Sequence, residues 1–150
     1  MNPHYQLHPA NAEDMPAIRS LIRETGINPL GLDWRRFIVA VNGDPQLIGT
    51  GQIKPHRDGS RELASIAVRP GWRRQGVARA IIERLLSENS GILYLTCREH
   101  LGIFYARFGF QVIEGAEMPP YFRRAIKFFS LLRRIGAANE GLLVMKRTDV

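Results

Sequence analysis

The stretch Arg69-Pro70-Gly71-Trp72-Arg73-Arg74-Gln75-Gly76-Val77-Ala78 decides the fold. The apolar run 63–68 precedes it, and the amphipathic segment 77–86 follows it. This order predicts a strand, a tight basic loop and a helix. The first turn of a helix has unpaired N–H groups and the positive end of the helix dipole, so we expect the loop to bind an anion. Gly76 lets such a ligand approach the backbone closely.

Composition predicts one domain over residues 1–150. The chain is 45% hydrophobic and 23% charged, as is typical of globular proteins. It has neither a membrane-spanning apolar run nor an N-terminal signal pattern, so we expect it in the cytoplasm. Its single cysteine, Cys97, excludes an intramolecular disulfide. The net charge of +7 favours anionic partners, which include nucleotides, nucleic acid and acidic membrane surfaces.

Hydrophobic periodicity places further elements on both sides of the basic loop. Asn11 is a candidate helix cap and Gly26 a helix end, while the Asn42-Gly43 pair indicates a tight hairpin turn. The predicted strands are 5–7, 37–41, 46–53, 62–68, 92–97, 110–113 and 142–145, and the further predicted helices are 101–108 and 122–135. The sequence therefore predicts a mixed α and β domain.

A second motif, Phe104-Tyr105-Ala106-Arg107-Phe108-Gly109-Phe110, follows at the distance of a strand and a turn. Residues 73–78, Arg-Arg-Gln-Gly-Val-Ala, match the Arg/Gln-x-x-Gly-x-Gly/Ala signature. With these two motifs in this order, the sequence resembles the GCN5-related N-acetyltransferases (GNAT family) from Tyr5 to Arg147. The resemblance implies an acyl-CoA N-acyltransferase fold. Its central, mostly antiparallel sheet is flanked by helices and splays apart at the cofactor site.

The resemblance also implies that acetyl-CoA is the cosubstrate and that no metal is needed. Backbone N–H groups of residues 75–78 would bind the pyrophosphate, and nearby arginines would add charge. The pantetheine arm would pair with the strand before the loop. The implied cofactor-binding residues are Ile66, Ala67, Val68, Arg73, Arg74, Gln75, Gly76, Val77, Ala78 and Arg79.

Two side chains are candidates for proton transfer. The resemblance makes Tyr105 the general acid that protonates the departing thiolate, against the alternative of a core tyrosine. Glu62 is the candidate base for the acceptor amine, and strand alternation places it on one face with Ala64 and Ile66. Its alternative is a solvent-facing residue paired with Arg61 or Arg69.

Other bases stay open. A water molecule can take the role, Glu99 and His100 are second choices, and His56 is a third. The family often has an asparagine where this sequence has Arg98, which leaves the cofactor contacts of that segment undecided. Cys97 is interpreted as a packing residue rather than a nucleophile.

The segment Phe122–Ile135 is an amphipathic basic helix with Phe122, Ile126, Phe129 and Leu132 on one face. Three interpretations compete: an extra packed helix, a wall of the acceptor site, or a surface for membranes or nucleic acid.

The sequence thus predicts an enzyme that transfers acetyl from acetyl-CoA to a primary amine by direct attack in a ternary complex. The acceptor, a small molecule or a protein, is not identified, and a homodimer is an open alternative. A non-catalytic acyl-CoA-binding module is the first rival function, and a nucleic-acid-binding protein is the second.

Overall fold

A computed structural model describes residues 4–148 as seven strands and four α-helices joined by short 3-10 turns. The strands are β1 (Tyr5–Pro9), β2 (Phe37–Asn42), β3 (Leu47–Pro55), β4 (Arg61–Val68), β5 (Leu93–Arg98), β6 (Gln111–Val112) and β7 (Leu142–Arg147). The helices are α1 (Met15–Thr25), α2 (Val77–Glu88), α3 (Gly102–Ala106) and α4 (Pro120–Arg134). None of the helices in residues 4–148 has the length and apolar character needed to cross a membrane.

The seven strands form one sheet in the order β1-β2-β3-β4-β5-β7-β6. The pairs β1–β2, β2–β3, β5–β7 and β6–β7 are antiparallel. The parallel pair β4–β5 has a single register position, at which Glu62 lies opposite Tyr94. The predicted mixed fold with a mostly antiparallel sheet and flanking helices is confirmed.

The chain groups into two compact units, and the first comprises Met1–Lys54 and Leu63–Ser90. Here Asn11 caps a short turn before α1, and Gly26 ends that helix with a φ of 74°, as predicted. Side chains of α1 and of strands β2 to β4 form one buried cluster. Its members are Ala10, Ile18, Leu21, Ile22, Phe37, Val39, Leu47 and Ala67.

Two glycines of β3 let α2 lie close to the sheet. A Cβ atom at Gly49 would stand 2.7 Å from Cγ1 of Val77, and one at Gly51 would stand 2.6 Å from Cγ2 of Ile81. Since real Cβ atoms do not approach neighbours this closely, any larger residue at either position would force the packed side chains to move. The absence of two methyl groups in β3 thus sets the position of the helix that follows the basic loop.

The second unit comprises Pro55–Glu62 and Gly91–Val150. Helix α4 starts at Pro120, two residues before the predicted start, because proline is well suited to the first turn of a helix. Phe122 is fully buried and packs with Ile113 and Val144. The predicted apolar face of α4 is therefore the face that packs.

Some boundaries differ from the predictions. Strand β6 has two residues rather than four: the buried Phe110 precedes it, and Ile113 lies beyond it, although the backbone N–H of Ile113 still donates to the carbonyl of Val144 in β7. Helix α3 ends before Gly109, whose φ of 91° suits only glycine. The single domain over residues 1–150 stays a prediction.

Candidate active site

The basic loop has the backbone of an anion cradle. Gly76 has a φ of 80° and precedes α2, and Arg74 also has a positive φ, of 62°. The first helical bond of α2 runs from the N–H of Ala80 to the carbonyl of Gly76. The N–H groups at the start of α2, from Val77 to Arg79, therefore have no partner within the helix.

Space is open in front of this backbone. A Cβ atom placed on Gly76 would meet no heavy atom of residues 4–148 within 4 Å. The hydroxyl of Tyr5 donates to the carbonyl of Gly76 at 3.3 Å, and the edge of the Tyr5 ring contacts Trp72. Sequence reasoning missed this support, because nothing local to Tyr5 indicates a partner 71 residues away.

The three arginines predicted for the cradle are not equivalent. Nε of Arg73 donates to the carbonyl of Val68 at 3.3 Å, which ties it to the end of β4. Arg79 pairs with Glu83 at 2.8 Å on the exposed side of α2. Within residues 4–148, Arg74 forms no ion pair. Arg74 is therefore the guanidinium most available to an incoming anion.

The strand that leads into the cradle is irregular. Ser65 has a φ of 60°, and its polar groups are held by β3: Thr50 donates to its carbonyl at 2.8 Å, and Gln52 donates to its hydroxyl at 2.9 Å. Alternation of faces requires continuously extended backbone. The common face predicted for Glu62, Ala64 and Ile66 therefore does not follow, and this interruption had no signal in the sequence.

Glu62 is buried, not solvent-facing. Its Oε1 lies 2.8 Å from Nε2 of His56, and both side chains are only 9% exposed. Arg69, one of its two suggested partners, instead lies 3.8 Å from Glu24. The interpretation of Glu62 as an exposed strand residue is wrong, because the turn after β3 folds His56 onto its carboxylate.

His56 is held by aromatic rings from α4. Its imidazole stacks on Tyr121 with ring centroids 3.6 Å apart and planes 16° apart, and the Phe122 ring meets it edge-on at 5.7 Å. From the sequence, His56 is only the third-choice base, after Glu62 and after Glu99 and His100. The contact that gives it importance depends on α4, which the sequence could not place beside this turn.

Asp58 connects the same turn to the start of α4. Its carboxylate accepts the backbone N–H of Tyr121 and the backbone N–H of Ser60, each at 2.9 Å. Burial acts to raise the pKa of Asp58, but the Ser60 hydroxyl, these two N–H groups and nearby His56 together lower it to about 2.

Tyr105 is a buried member of α3. Its ring contacts Phe104 and Phe110 at centroid distances of 5.1 and 6.4 Å. Burial, with a smaller contribution from Cys97, raises the pKa of its hydroxyl. The side chain packs as a core tyrosine does, and it also keeps the proton that a general acid needs.

Cys97 has the surroundings of a packing residue. Its Sγ lies 3.9 Å from Sδ of Met145, and burial, together with Glu140, raises the pKa of the thiol to about 11. A thiol that stays protonated at neutral pH is a poor nucleophile.

The second-choice bases lie on the surface. His100 pairs with Glu140 at 2.9 Å, with side-chain exposures of 63% and 35%. Glu99 lies 3.8 Å from Arg133. In the part of the chain that is described, no cluster of three or more His, Cys, Asp or Glu side chains could hold a metal ion.

Comparisons with known proteins agree with the two sequence motifs. A family model described as an acetyltransferase (GNAT) domain matches residues 33–112, more than half of the chain. No protein of curated function matches the sequence significantly. Several solved structures share the fold.

Three solved structures illustrate this similarity. N-acetylglutamate synthase from Neisseria gonorrhoeae, complexed with coenzyme A and N-acetyl-glutamate, has a TM-score of 0.73 and 21% identity; the match covers all of this chain but 36% of that one. Rv2747 from Mycobacterium tuberculosis, in complex with CoA and NLQ, has a TM-score of 0.73 and 22% identity over 97% of this chain and 99% of that one. The ribosomal-protein-S18-alanine N-acetyltransferase from Escherichia coli has a TM-score of 0.64 and 15% identity over 97% and 94% of the two chains.

Proposed function

Because the chain belongs to the GNAT acetyltransferase family, we propose that it transfers acetyl from acetyl-CoA to a primary amine by direct attack in a ternary complex. The family, the acyltransferase class and acetyl-CoA as cosubstrate agree with what the two sequence motifs predicted. The observation that carries the proposal is the open backbone cradle at Gly76, in the position of the family's signature.

The cradle fits a pyrophosphate. Backbone N–H groups of residues 75–78 flank the open space at Gly76 at the start of α2, and Arg74 supplies a guanidinium that forms no ion pair in residues 4–148. Arg73 and Arg79 contribute positive charge nearby while keeping their own partners. The backbone of Ile66, Ala67 and Val68 serves the pantetheine arm.

Glu62 is the proposed base. An amine at neutral pH carries a proton that must leave before nitrogen can attack the thioester carbonyl. The carboxylate of Glu62 takes that proton, directly or through a water molecule. Its burial and its short hydrogen bond to His56 give it one defined orientation. Attack by the neutral amine then forms the new C–N bond.

Tyr105 is the proposed general acid. Breakdown of the tetrahedral species breaks the C–S bond and leaves a thiolate, which the Tyr105 hydroxyl protonates, and the proton that the nitrogen loses as the amide forms restores that hydroxyl. The raised pKa of this buried hydroxyl keeps it protonated across the physiological range. Tyr105→Phe should lower kcat by about 10- to 100-fold while leaving the Kd for acetyl-CoA nearly unchanged. Unchanged turnover would return Tyr105 to a packing role alone.

The acceptor is proposed as a small primary amine that carries a carboxylate. The net charge of +7 favours an anionic acceptor. Two of the similar structures were solved with N-acetyl-glutamate or with NLQ. The name of the Escherichia coli neighbour, by contrast, gives an alanine of a ribosomal protein as its acceptor. Free amino acids and a peptide with N-terminal alanine therefore head the list of acceptors to assay.

An amine panel with acetyl-CoA tests the activity. Release of free CoA is followed for glutamate, glutamine, alanine, lysine, spermidine and the alanine peptide, and mass spectrometry identifies the product. A gain of one acetyl group on one acceptor class supports the proposal. Binding of acetyl-CoA without turnover of any amine would favour the non-catalytic module.

Gly76→Glu tests the cradle. The new side chain fills the open space and brings a negative charge, so we expect affinity for CoA to fall by about 100-fold or more. Gly26→Glu is the matched control, because Gly26 also has a positive φ, of 74°, and open space around it, but lies at the end of α1. Calorimetric titration with CoA measures both variants. Equal affinity in the two would contradict the pyrophosphate assignment.

A further inference from the structure

We propose that His56 and Tyr121 are positioning residues that act through Glu62, holding its carboxylate in the orientation that accepts the proton of the acceptor amine. This inference rests on the proposed function and extends it to the turn 55–60 and to the start of α4. It also assigns a role to α4, which the sequence left between three interpretations.

The hydrogen bond between His56 and Glu62 fixes the carboxylate. With its proton on Nε2, the imidazole donates to Oε1 at 2.8 Å, a bond to a charged acceptor in a buried place. Oε2 is then the oxygen left to accept a proton. A carboxylate without such a donor rotates more freely and is costly to keep ionised when buried.

The orientation of the imidazole is itself fixed from three sides. Tyr121 covers one face of the ring at 3.6 Å, and Phe122 meets it edge-on. The backbone N–H of His56 donates to the carbonyl of Ser60 at 2.9 Å, which closes the turn. Rotation of the ring would therefore cost the stacking contact as well as the hydrogen bond.

The Tyr121 and Phe122 rings are held in place by a hydrogen bond to the turn 55–60 and by packing in the core. Asp58, in the same turn as His56, accepts the backbone N–H of Tyr121 at 2.9 Å. The next residue of α4, Phe122, is fully buried against Ile113 and Val144. The turn and the first turn of α4 thus form one packed assembly around Glu62.

Three ionisable side chains that face His56 and Glu62 from neighbouring elements are those of Asp58, Tyr121 and Tyr94. Asp58 faces His56 from the same turn, and this proximity is one cause of its low pKa. Tyr121 faces Glu62 from α4; burial first, and then Glu62, raise the pKa of its hydroxyl. Tyr94 lies opposite Glu62 on β5. The pKa of Asp58 is about 2 and that of Tyr121 is raised from 10, so neither group titrates near neutral pH, where the profile of a His56 variant is compared.

The test separates stacking from hydrogen bonding at position 56. His56→Phe keeps a ring on Tyr121 but removes the donor, and His56→Gln keeps a donor but removes the ring. We expect His56→Phe to lower kcat about tenfold and to change the acid limb of the pH profile, because the buried carboxylate has lost its hydrogen-bond donor. The KM for acetyl-CoA should stay constant. His56→Gln should recover most of kcat and the original limb.

Variants of Tyr121 test the stacking contact, and a variant of the exposed His100 serves as the control. Tyr121→Ala should reproduce a smaller part of the His56→Phe effect, and Tyr121→Phe, which retains a ring for stacking, should rescue it. His100→Phe removes the donor of an exposed His–Glu pair and should change neither kcat nor the acid limb. Thermal unfolding of each variant identifies those that lose activity through folding alone.

The outcomes distinguish this inference from the proposed function. If Glu62→Gln is inactive while His56→Phe retains the kcat and pH profile of the unmodified protein, Glu62 acts without positioning and the inference is overturned. If Glu62→Gln retains full activity, the assignment of Glu62 as base fails first, and the positioning role fails with it. A lower melting temperature with an unmoved acid limb in His56→Phe would reduce His56 to a structural residue and would also overturn the inference.

Discussion

Two His–Glu pairs in the second unit have nearly the same separation and very different surroundings. His56 and Glu62 lie 2.8 Å apart with both side chains 9% exposed, whereas His100 and Glu140 lie 2.9 Å apart with exposures of 63% and 35%. Charges interact more strongly where water is excluded, and exposed pairs contribute little to stability. Distance alone thus does not identify a functional pair, and burial separates the two.

The difference arises from what covers each pair. Tyr121 and Phe122 pack on the His56 ring, so the first pair is part of a core. The second pair joins the turn after β5 to the residues before β7, and the Glu140 carboxylate also accepts the backbone N–H of His100 at 3.4 Å. The first arrangement can orient a catalytic group, and the second joins two surface segments.

The largest expected contrast is in activity. Glu62→Gln should lower kcat by about 100-fold, because the amide cannot take a proton from the acceptor. Glu140→Gln should leave kcat within about twofold, as expected for an exposed pair with no part in the chemistry. Steady-state kinetics with the best acceptor measures both. Equal losses would end the distinction between the two pairs.

The second-largest contrast is in the free energy of unfolding that each pair contributes. His56→Ala removes the partner of a buried carboxylate and leaves a gap beneath Tyr121, so we expect the free energy of unfolding to fall by about 2–3 kcal/mol. His100→Ala should cost about 0.5 kcal/mol or less. Urea unfolding monitored by tryptophan fluorescence provides the measurement. A loss at His100 as large as that at His56 would show that burial does not control the strength of these pairs.

The stability contributions of Asp58, beside the buried pair, and of Glu140, in the exposed pair, should be lost in different acidic pH ranges. The pKa of Asp58 is lowered from 3.8 to about 2, so its contribution is fully present above pH 3.8 and is lost as pH falls toward 2. The hydrogen bond from the His100 side chain lowers the pKa of Glu140 from 4.5, so that contribution begins to be lost below its ordinary value. Asp58→Asn should therefore flatten the decline in stability between about pH 4 and 2. Melting temperatures across this range measure the slope, and an unchanged slope would contradict the assignment.

Salt should give the smallest contrast. A double-mutant cycle on His100 and Glu140 should give a coupling of about 0.5 kcal/mol or less at low ionic strength, and the coupling should vanish in about 1 M salt. The coupling between His56 and Glu62 should persist, because both side chains are largely shielded from solvent and salt screens such a pair much less. Alanine variants in both cycles serve as each other's control. Similar salt dependence in the two cycles would show that the His56 pair is solvated.

The sequence was informative wherever one local rule sufficed. The Asn42-Gly43 pair predicts a tight turn because its backbone conformation is favourable there, and the structure has β2 and β3 on either side of it. Gly76 marks the start of α2 for the same kind of reason. The apolar spacing that begins with Phe122 and Ile126 predicts which face of α4 packs: Phe122 is buried, and Ile126 is partly buried against the same cluster.

The parts that the sequence did not predict depend on contacts between distant segments. Glu62 is buried by the turn 55–60 and by α4. A hydrogen bond from the backbone N–H of Tyr121 to Asp58 joins these two segments across 63 residues of sequence. Ser65 departs from extended backbone at a point where Thr50 and Gln52 of β3 hold its polar groups, and no pattern within β4 itself predicts this. Periodicity describes an element in isolation, so it contains no information on either contact.

Gly49 and Gly51 connect the interior of the first unit to ligand affinity. A methyl group at Gly49 would stand 2.7 Å from Cγ1 of Val77, the first residue of α2, whose backbone N–H belongs to the proposed pyrophosphate site. If the backbone of α2 moves to relieve that overlap, the start of the helix shifts relative to the arginines of the preceding loop. We therefore expect Gly49→Ala, a substitution in the core, to lower the affinity for CoA without any contact between residue 49 and the ligand.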